Sequence, residues 1–348
     1  MTTVTDESGT VAPVNGGRAR ERPEDEFEAL AAPYRPEILA LCYRMLGSIH
    51  DAEDLVQETY LRGWRSYDRF EGRASLRTWL YRIATNACLT ALEHRARRPL
   101  PTGIGAPSSE PEGDLSAVPP EILWLQPLPD SLLAVDASAA DPASVVAARA
   151  GLRLALVAAL QWLPPRQRAV LILRDVLAWR TAEVAQLLGL TDTAVNSLLR
   201  RARTRLADVA PDADDVCEPS QAEQREILDR WAKAFVDADI DALMELLTED
   251  AIWEMPPQPM WFQGAEMMRR LLSFRLRQFG RYQRMIPTSA NGQPAFAVYR
   301  VAADAQAGTL SAGSLQVITF RGNRIAKVSA FRTPSLVGLA GLPLEIEA

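Results

Sequence analysis

Histidine and cysteine are almost missing: the 348 residues hold two histidines and three cysteines. His50 and His94 are isolated, and Cys42, Cys88 and Cys217 lie far apart in no CxxC spacing, which excludes a disulfide framework and a structural zinc site. No metal and no cofactor are therefore expected. Lysine is nearly absent as well, so positive charge rests on arginine. No apolar run reaches the roughly 18 residues that span a bilayer, and the opening stretch MTTVTDESGTVAPVNGG lacks the apolar core of a signal peptide. A cytoplasmic protein with no membrane partner is expected. Core-forming material is plentiful, with 48% hydrophobic and 24% charged residues, so wholesale disorder is excluded and the length suits two or three domains.

The net charge of −6 argues against a nucleic-acid binder until its distribution is read. Residues 62 to 98 carry nine Arg against three acids, and residues 149 to 206 carry ten Arg against three acids. Between them, residues 99 to 148 carry seven acids and no base. Two basic modules joined by an acidic strap are the pattern.

Breakers divide the chain. Residues 1–24 are polar and aperiodic, the composition of a disordered tail. Residues 25–98 show three-and-four apolar spacing and read as a helical domain. Residues 99–142 are a Pro-rich acidic linker holding one apolar island, Ile122 to Pro129 around Trp124. A second helical block covers 143–209. From 220 to 335 the pattern changes to one long amphipathic helix, a short strand near Ile252–Met255, a helix near Gly264–Gln278 and a run of antiparallel strands, an α+β cone. Residues 336–348 form an apolar tail, which is expected to meet the island around Trp124.

The most specific stretch is TAEVAQLLGLTDTAVNSLLRRARTRL, from Thr181 to Leu206. Gly189 permits the positive φ of a tight turn, and Thr191 suits the N-cap of the second helix. Along that helix Val195, Leu199, Ala202 and Leu206 fall on one face, with Asp192, Thr193, Asn196, Arg200 and Arg203 towards the other. This is the division of a recognition helix that enters a major groove. Upstream, Asp51, Glu53, Asp54 and Glu58 place acids on a short helix beside Leu55 and Val56. Tyr67, Phe70, Trp79 and Tyr81 then interleave with arginines, which suits stacking on an unpaired base while guanidiniums hold phosphate. Trp79 and Tyr81 read better as core.

The stretch LPPRQRAVLILRDVLAWRTAEVAQLLGLTDTAVNSLLRRARTRL resembles region 4 of the sigma-70 family, and DAEDLVQETYLRGWRSYDRFEGRASLRTWLYRIATNACLTALEHRARR resembles region 2. The missing middle domain is similar to the compact extracytoplasmic-function group. The resemblance implies an alternative sigma factor with two all-α sigma domains. Core RNA polymerase would be its partner, gripped at the β′ clamp by Asp51, Asp54, Leu55, Gln57 and Glu58 and at the β flap by region 4. Promoter DNA would be read at the −35 element by Thr193, Asn196, Ser197, Arg200, Arg201 and Arg203. The −10 element would fall to Phe70, Arg73, Ser75, Arg77 and Asn86. It also implies that the acidic linker threads the basic cleft of the polymerase. Many relatives carry Lys at the position of Asn196 and Arg at that of Leu198, so the −35 sequence itself does not transfer.

The C-terminal part resembles the SnoaL-like branch of the NTF2-like fold, through its element order and Trp261-Phe262-Gln263-Gly264 before a helix. This implies regulation in cis, with Trp253, Met255, Trp261, Phe262 and Tyr299 as pocket lining or interdomain contact and room for a small ligand of unknown identity. Enzymatic relatives use polar acid–base pockets, but this part has no histidine, and Asp250, Glu254 and Glu266 form no visible base–orienter pair; no catalysis is expected. Two other readings compete: a ligand-responsive helix-turn-helix regulator that binds duplex DNA alone, and an NTF2-like enzyme. The segment from Asp51 to Asn86 separates them, because only a sigma factor requires it.

Overall fold

The computed structural model describes residues 23–93, 96–113, 118–133, 151–209, 219–279, 284–301 and 308–348. The expected tail at 1–24 falls outside them apart from its last two positions, where the first helix begins. The start of the second helical block, from 143 to 150, falls outside them as well.

The first module packs α1 (Pro23–Ala31), α2 (Arg35–Leu46), α3 (Ile49–Ser66) and α4 (Leu76–Leu92). Gly47 ends α2 in the left-handed region at φ 68°, and Ser48 and Ser75 cap α3 and α4 through their side chains. The acidic helix is longer than its sequence suggested: α3 runs 18 residues, and Thr59 and Gly63 continue its buried side beyond the acids. Gly63 lets α3 cross α1 closely, since a Cβ there would lie 2.8 Å from the Phe27 ring.

The second module comprises α5 (Leu154–Leu160), α6 (Pro165–Leu171), α7 (Thr181–Leu188) and α8 (Asp192–Val209). The C-terminal unit holds α9 (Gln221–Asp237), α10 (Ile240–Leu246), α11 (Ala265–Phe279) and α12 (Ser335–Leu339). Its strands are β1 (Leu247–Glu254), β2 (Trp261–Gln263), β3 (Arg284–Ala290), β4 (Gln293–Arg300), β5 (Thr309–Arg321), β6 (Arg324–Phe331) and β7 (Glu345–Glu347). The sheet order is β2-β1-β6-β5-β4-β3, with β7 on the end of β5. Three sequence expectations are corrected here. The long amphipathic helix breaks at Ala238, which turns left-handed at φ 59° so that Asp239 can cap α10. The sheet is mixed, because β1 runs parallel to β6. The apolar tail is part of the unit, supplying α12 and β7, and its Leu336 and Val337 fall in the same buried cluster as Leu125 and Leu128 of the island.

The modules do not keep separate cores. Strand alternation sends Phe296 and Val298 of β4 inward against α9 to α11, and Ala295, Ala297 and Tyr299 outward. The outward alanines are small enough for the sheet to lie flat on its neighbours. There they join Leu39, Leu41, Leu125, Leu128, Leu160 and Leu173 in one continuous cluster that spans both helical modules, the strap and the sheet.

Candidate nucleic-acid interface and its brace

In the helix-turn-helix, Gly189 takes φ 64° with open space around its Cα, so the residue is required by conformation and not by crowding. The Thr191 hydroxyl accepts from the Ala194 amide at 3.2 Å. Val195, Leu199 and Ala202 are buried, which leaves Thr193, Asn196, Arg200 and Arg201 exposed and Ser197 half-buried on the opposite side. Arg200, Arg201, Thr204, Arg205 and Asp208 line one open groove, where three guanidiniums outweigh one carboxylate and suit phosphate. Arg203 differs from the rest. It forms a bidentate pair with Asp175 at 2.8 and 2.7 Å, so its fork is already used within its own module.

Of the proposed −10 residues, Arg73, Ser75 and Asn86 are exposed. Phe70 stacks on Tyr67 at a centroid distance of 6.2 Å and meets the tilted Trp79 ring at 5.0 Å. Ser75 accepts from the Thr78 amide as the cap of α4. Arg77 is tied across to Glu37 at 2.7 Å and lies over the Tyr81 ring. Arg73 stays at the surface beside Glu71.

The acids of α3 are unequal. Asp54 and Gln57 point to solvent, Leu55 is half-buried and Glu58 pairs with Arg62. Asp51 is held by Arg98 at 2.6 Å, and Arg98 also donates to the Trp124 carbonyl of the strap at 3.1 Å. Trp124, Leu125 and Leu128 of the apolar island are buried. The Gln126 amide donates to the Gly47 carbonyl, Ser48 donates to Gln126 Oε1, and the Tyr43 hydroxyl donates to the Gln126 carbonyl at 2.8 Å.

The two helical modules also bind each other directly. Arg168 of α6 donates to the Met45 carbonyl across the interface and to Gln161 and Leu163 within its own module. Arg44 donates to the Gly151 carbonyl at 3.0 Å. Burial depresses the pKa of both guanidiniums, and carbonyl oxygens compensate part of that cost. Gly47 faces Gln161, where a Cβ would come within 3.0 Å. Tyr81 packs on Trp179 at 5.1 Å, a contact of about 0.5–1.5 kcal/mol.

At the centre is the β3–β4 turn. Asn291 and Gly292 both have positive φ, 58° and 65°, the two-residue turn that favours Asn-Gly. Asn291 is fully buried. Its Nδ2 donates to the Tyr43 hydroxyl at 2.8 Å and to the Leu152 carbonyl at 2.7 Å, and its Oδ1 accepts from the Leu128 amide at 2.9 Å. Its own amide donates to the Leu128 carbonyl at 2.8 Å. One side chain thus bonds the first module, the strap and the second module. Gln293 adds a bond from the Leu154 amide, and Asp130 accepts from the Gly292 amide.

A second latch holds the front of the strap. Glu254 is fully buried, pairing with Lys327 at 2.9 Å and accepting from Ser329 at 2.6 Å, while the Thr102 hydroxyl of the strap donates to it at 3.0 Å. Trp261 donates from its indole to the Gly105 carbonyl, and its own carbonyl accepts from the Ser108 amide. Among the residues named for the C-terminal unit, Trp253 and Met255 line a cavity, Trp261 grips the strap, and Tyr299 donates to the Pro343 carbonyl from the outward face. Phe262 is plain core. Glu254 is buried under the strap, and Asp250 pairs with Arg321 at the surface, so neither carboxylate lines that cavity. Asn291, Thr102 and Arg168 escaped sequence reasoning. Only Asn291 left a trace, as the Asn-Gly turn signal, since its partners lie 139 to 248 residues away.

The model of Sigma-70 region 2 matches residues 30–98, that of Sigma-70 region 4 matches 153–206, and that of the SnoaL-like domain matches 228–328. The ECF RNA polymerase sigma factor SigG of Mycobacterium tuberculosis is 51% identical over 333 residues, covering 94% of this chain and 87% of the relative. SigJ of the same organism is 33% identical over 226 residues, covering 65% of this chain and 62% of the relative. The crystal structure of that SigJ shares the fold, with a TM-score of 0.58 at 23% identity, covering 92% of this chain and 99% of the other. With both sigma modules in order and half of its residues shared with SigG across nearly its whole length, the chain belongs to the extracytoplasmic-function RNA polymerase sigma factors.

Proposed function

We propose that the chain directs core RNA polymerase to promoters through the exposed faces of α8, α4 and α3, and that the closed arrangement is its resting form, held shut in cis by the SnoaL-like domain. The observation that carries this reading is Asn291, a buried residue of that domain bonded at once to both sigma modules and the strap. The −35 and −10 elements are named for positions about 25 base pairs apart, roughly 85 Å along the duplex. A compact chain of 348 residues is roughly 50 Å across. Modules that share one core cannot reach both elements, so initiation requires them to part.

The strap supports the same reading. Asp51, one of the polymerase-facing acids, is engaged by Arg98, which is itself anchored on the Trp124 carbonyl. Polymerase docking on α3 therefore competes with strap docking. Freed, the strap carries its acids towards a basic cleft. The SnoaL-like domain serves here as a regulator and not as a catalyst. Promoter-specific run-off transcription with core polymerase is the test: full-length protein should initiate, and Asn196→Ala with Arg200→Ala should abolish promoter choice. Tight binding of duplex DNA by the chain alone, with no initiation at any promoter, would sink the reading.

A further inference from the structure

The concave face of the C-terminal sheet, beneath α11, encloses a cavity of about 300 Å³ that the brace does not use. Its walls combine two chemistries. Met255, Leu271 and Leu272 make an apolar floor, and three guanidiniums, those of Arg275, Arg300 and Arg332, line the rest, while none of the described lining residues is acidic. Guanidiniums clustered on an apolar pocket select a carboxylate attached to a hydrocarbon body. A second observation narrows the ligand further. Two buried wall atoms have no protein partner among the described residues: Oε1 of Gln316, a residue 2% exposed, and Nε1 of Trp253, 4% exposed. Both atoms sit just behind the wall with almost no accessible area, one accepting and the other donating, so a ligand hydroxyl serves them only by shifting the side chains in front.

Arg275 connects this cavity to the strap. Its Nη2 donates to the Gly113 carbonyl at 3.2 Å and reaches the Pro111 carbonyl at 3.5 Å. Between those two positions, Glu112 pairs with Arg270 of the same helix at 2.9 Å. The segment is further held by the Ser108 amide on Trp261 and by two bonds within itself, from the Glu110 amide to the Ser108 hydroxyl oxygen and from the Gly113 amide to the Glu110 carbonyl. A guanidinium placed between a cavity and a strap can serve one of them fully at a time.

We propose that this cavity binds a small hydroxylated organic carboxylate, and that its occupation draws Arg275 off residues 111–113 and loosens the strap. The site stands on the cavity alone, whereas the loosening rests on the cis-regulation reading above. Titration calorimetry of the full chain with 6-hydroxy-2-naphthoate, 2-naphthoate and 6-hydroxy-2-naphthamide tests the site. The hydroxy acid should bind most tightly, with the amide and the hydroxyl-free acid each weaker, the amide by about tenfold or more. Arg300→Gln, which has no bond to the strap among those described, should weaken the acids and spare the amide. No binding of either acid up to about 5 mM, or equal binding of acid and amide, would overturn the site. Hydrogen exchange at the amides of Ser108, Glu110 and Gly113 tests the coupling. Exchange should quicken when the hydroxy acid binds, and saturated binding with unchanged exchange would overturn the loosening. A failure of cis regulation reads out separately, as an Asn291 variant without effect on transcription while calorimetry still reports the acid.

Discussion

Replacing Asn291 by glycine tests the brace with little collateral damage. Glycine keeps the positive φ of the turn, so the β3–β4 hairpin survives while the side chain disappears. Three side-chain bonds are lost, those with Tyr43, Leu152 and Leu128. Each contributes about 1 kcal/mol net, and a buried amide or carbonyl left without a partner costs about 1–3 kcal/mol more. The closed form should therefore weaken by roughly 3–6 kcal/mol, a shift of about 10² to 10⁴ in the ratio of closed to open protein. The assay is promoter-specific transcription at limiting sigma factor, alongside hydrogen exchange at the Leu128 amide. Asn291→Gly should raise both, and Asn291→Ala should raise them at least as far, because alanine adds a left-handed strain of about 1–2 kcal/mol. Normal exchange and wild-type transcription in the glycine variant would refute the reasoning.

Other outcomes follow from the same geometry. Gly189→Ala should lower the melting temperature through a strain of about 1–2 kcal/mol in the helix-turn-helix, with no steric contribution because the space beside it is open; calorimetry reads this directly. Arg200→Ala should weaken binding to a −35 duplex by about 1–3 kcal/mol, or reduce the salt slope by about one if it meets phosphate. Arg203→Ala should instead lower thermal stability through its lost Asp175 pair while leaving sequence preference intact, as seen by binding-site selection. The Arg321 guanidinium holds the Asp250 carboxyl below its ordinary 3.8. Because the folded value is the lower one, this pair contributes stability above about pH 4 that is lost as pH falls further, and its exposure limits the effect to under about 1 kcal/mol. Asp250→Asn should flatten that part of an acid titration followed by circular dichroism.

The helices, the Gly189 turn, the Thr191 cap and the two-faced recognition helix were legible because each depends on residues within a few positions of one another. Strands β3 to β6 were legible through alternation and their glycine turns. The break at Ala238 was not, since alanine carries no signal for a left-handed conformation. Parallel pairing of β1 with β6 and the joining of β7 to β5 depend on partners far along the chain. The strap was readable as acidic and proline-rich, yet its docking depends on backbone groups such as the carbonyls of Gly47 and Trp124, which leave no mark in a sequence. For the same reason Thr102 looked like an ordinary linker residue and Glu254 like a stray acid. The small outward alanines of β4 were visible, but only the fold shows that their size admits a neighbouring domain.

The central claim is that the sigma modules part when the protein works. Fluorophores at the exposed positions 61 on α3 and 208 on α8 would report the distance between the modules. Efficient energy transfer is expected for the protein alone, falling steeply when core polymerase and promoter DNA are added, as the modules move to elements roughly 85 Å apart. Efficient transfer that persists in a complex actively initiating transcription would contradict the account.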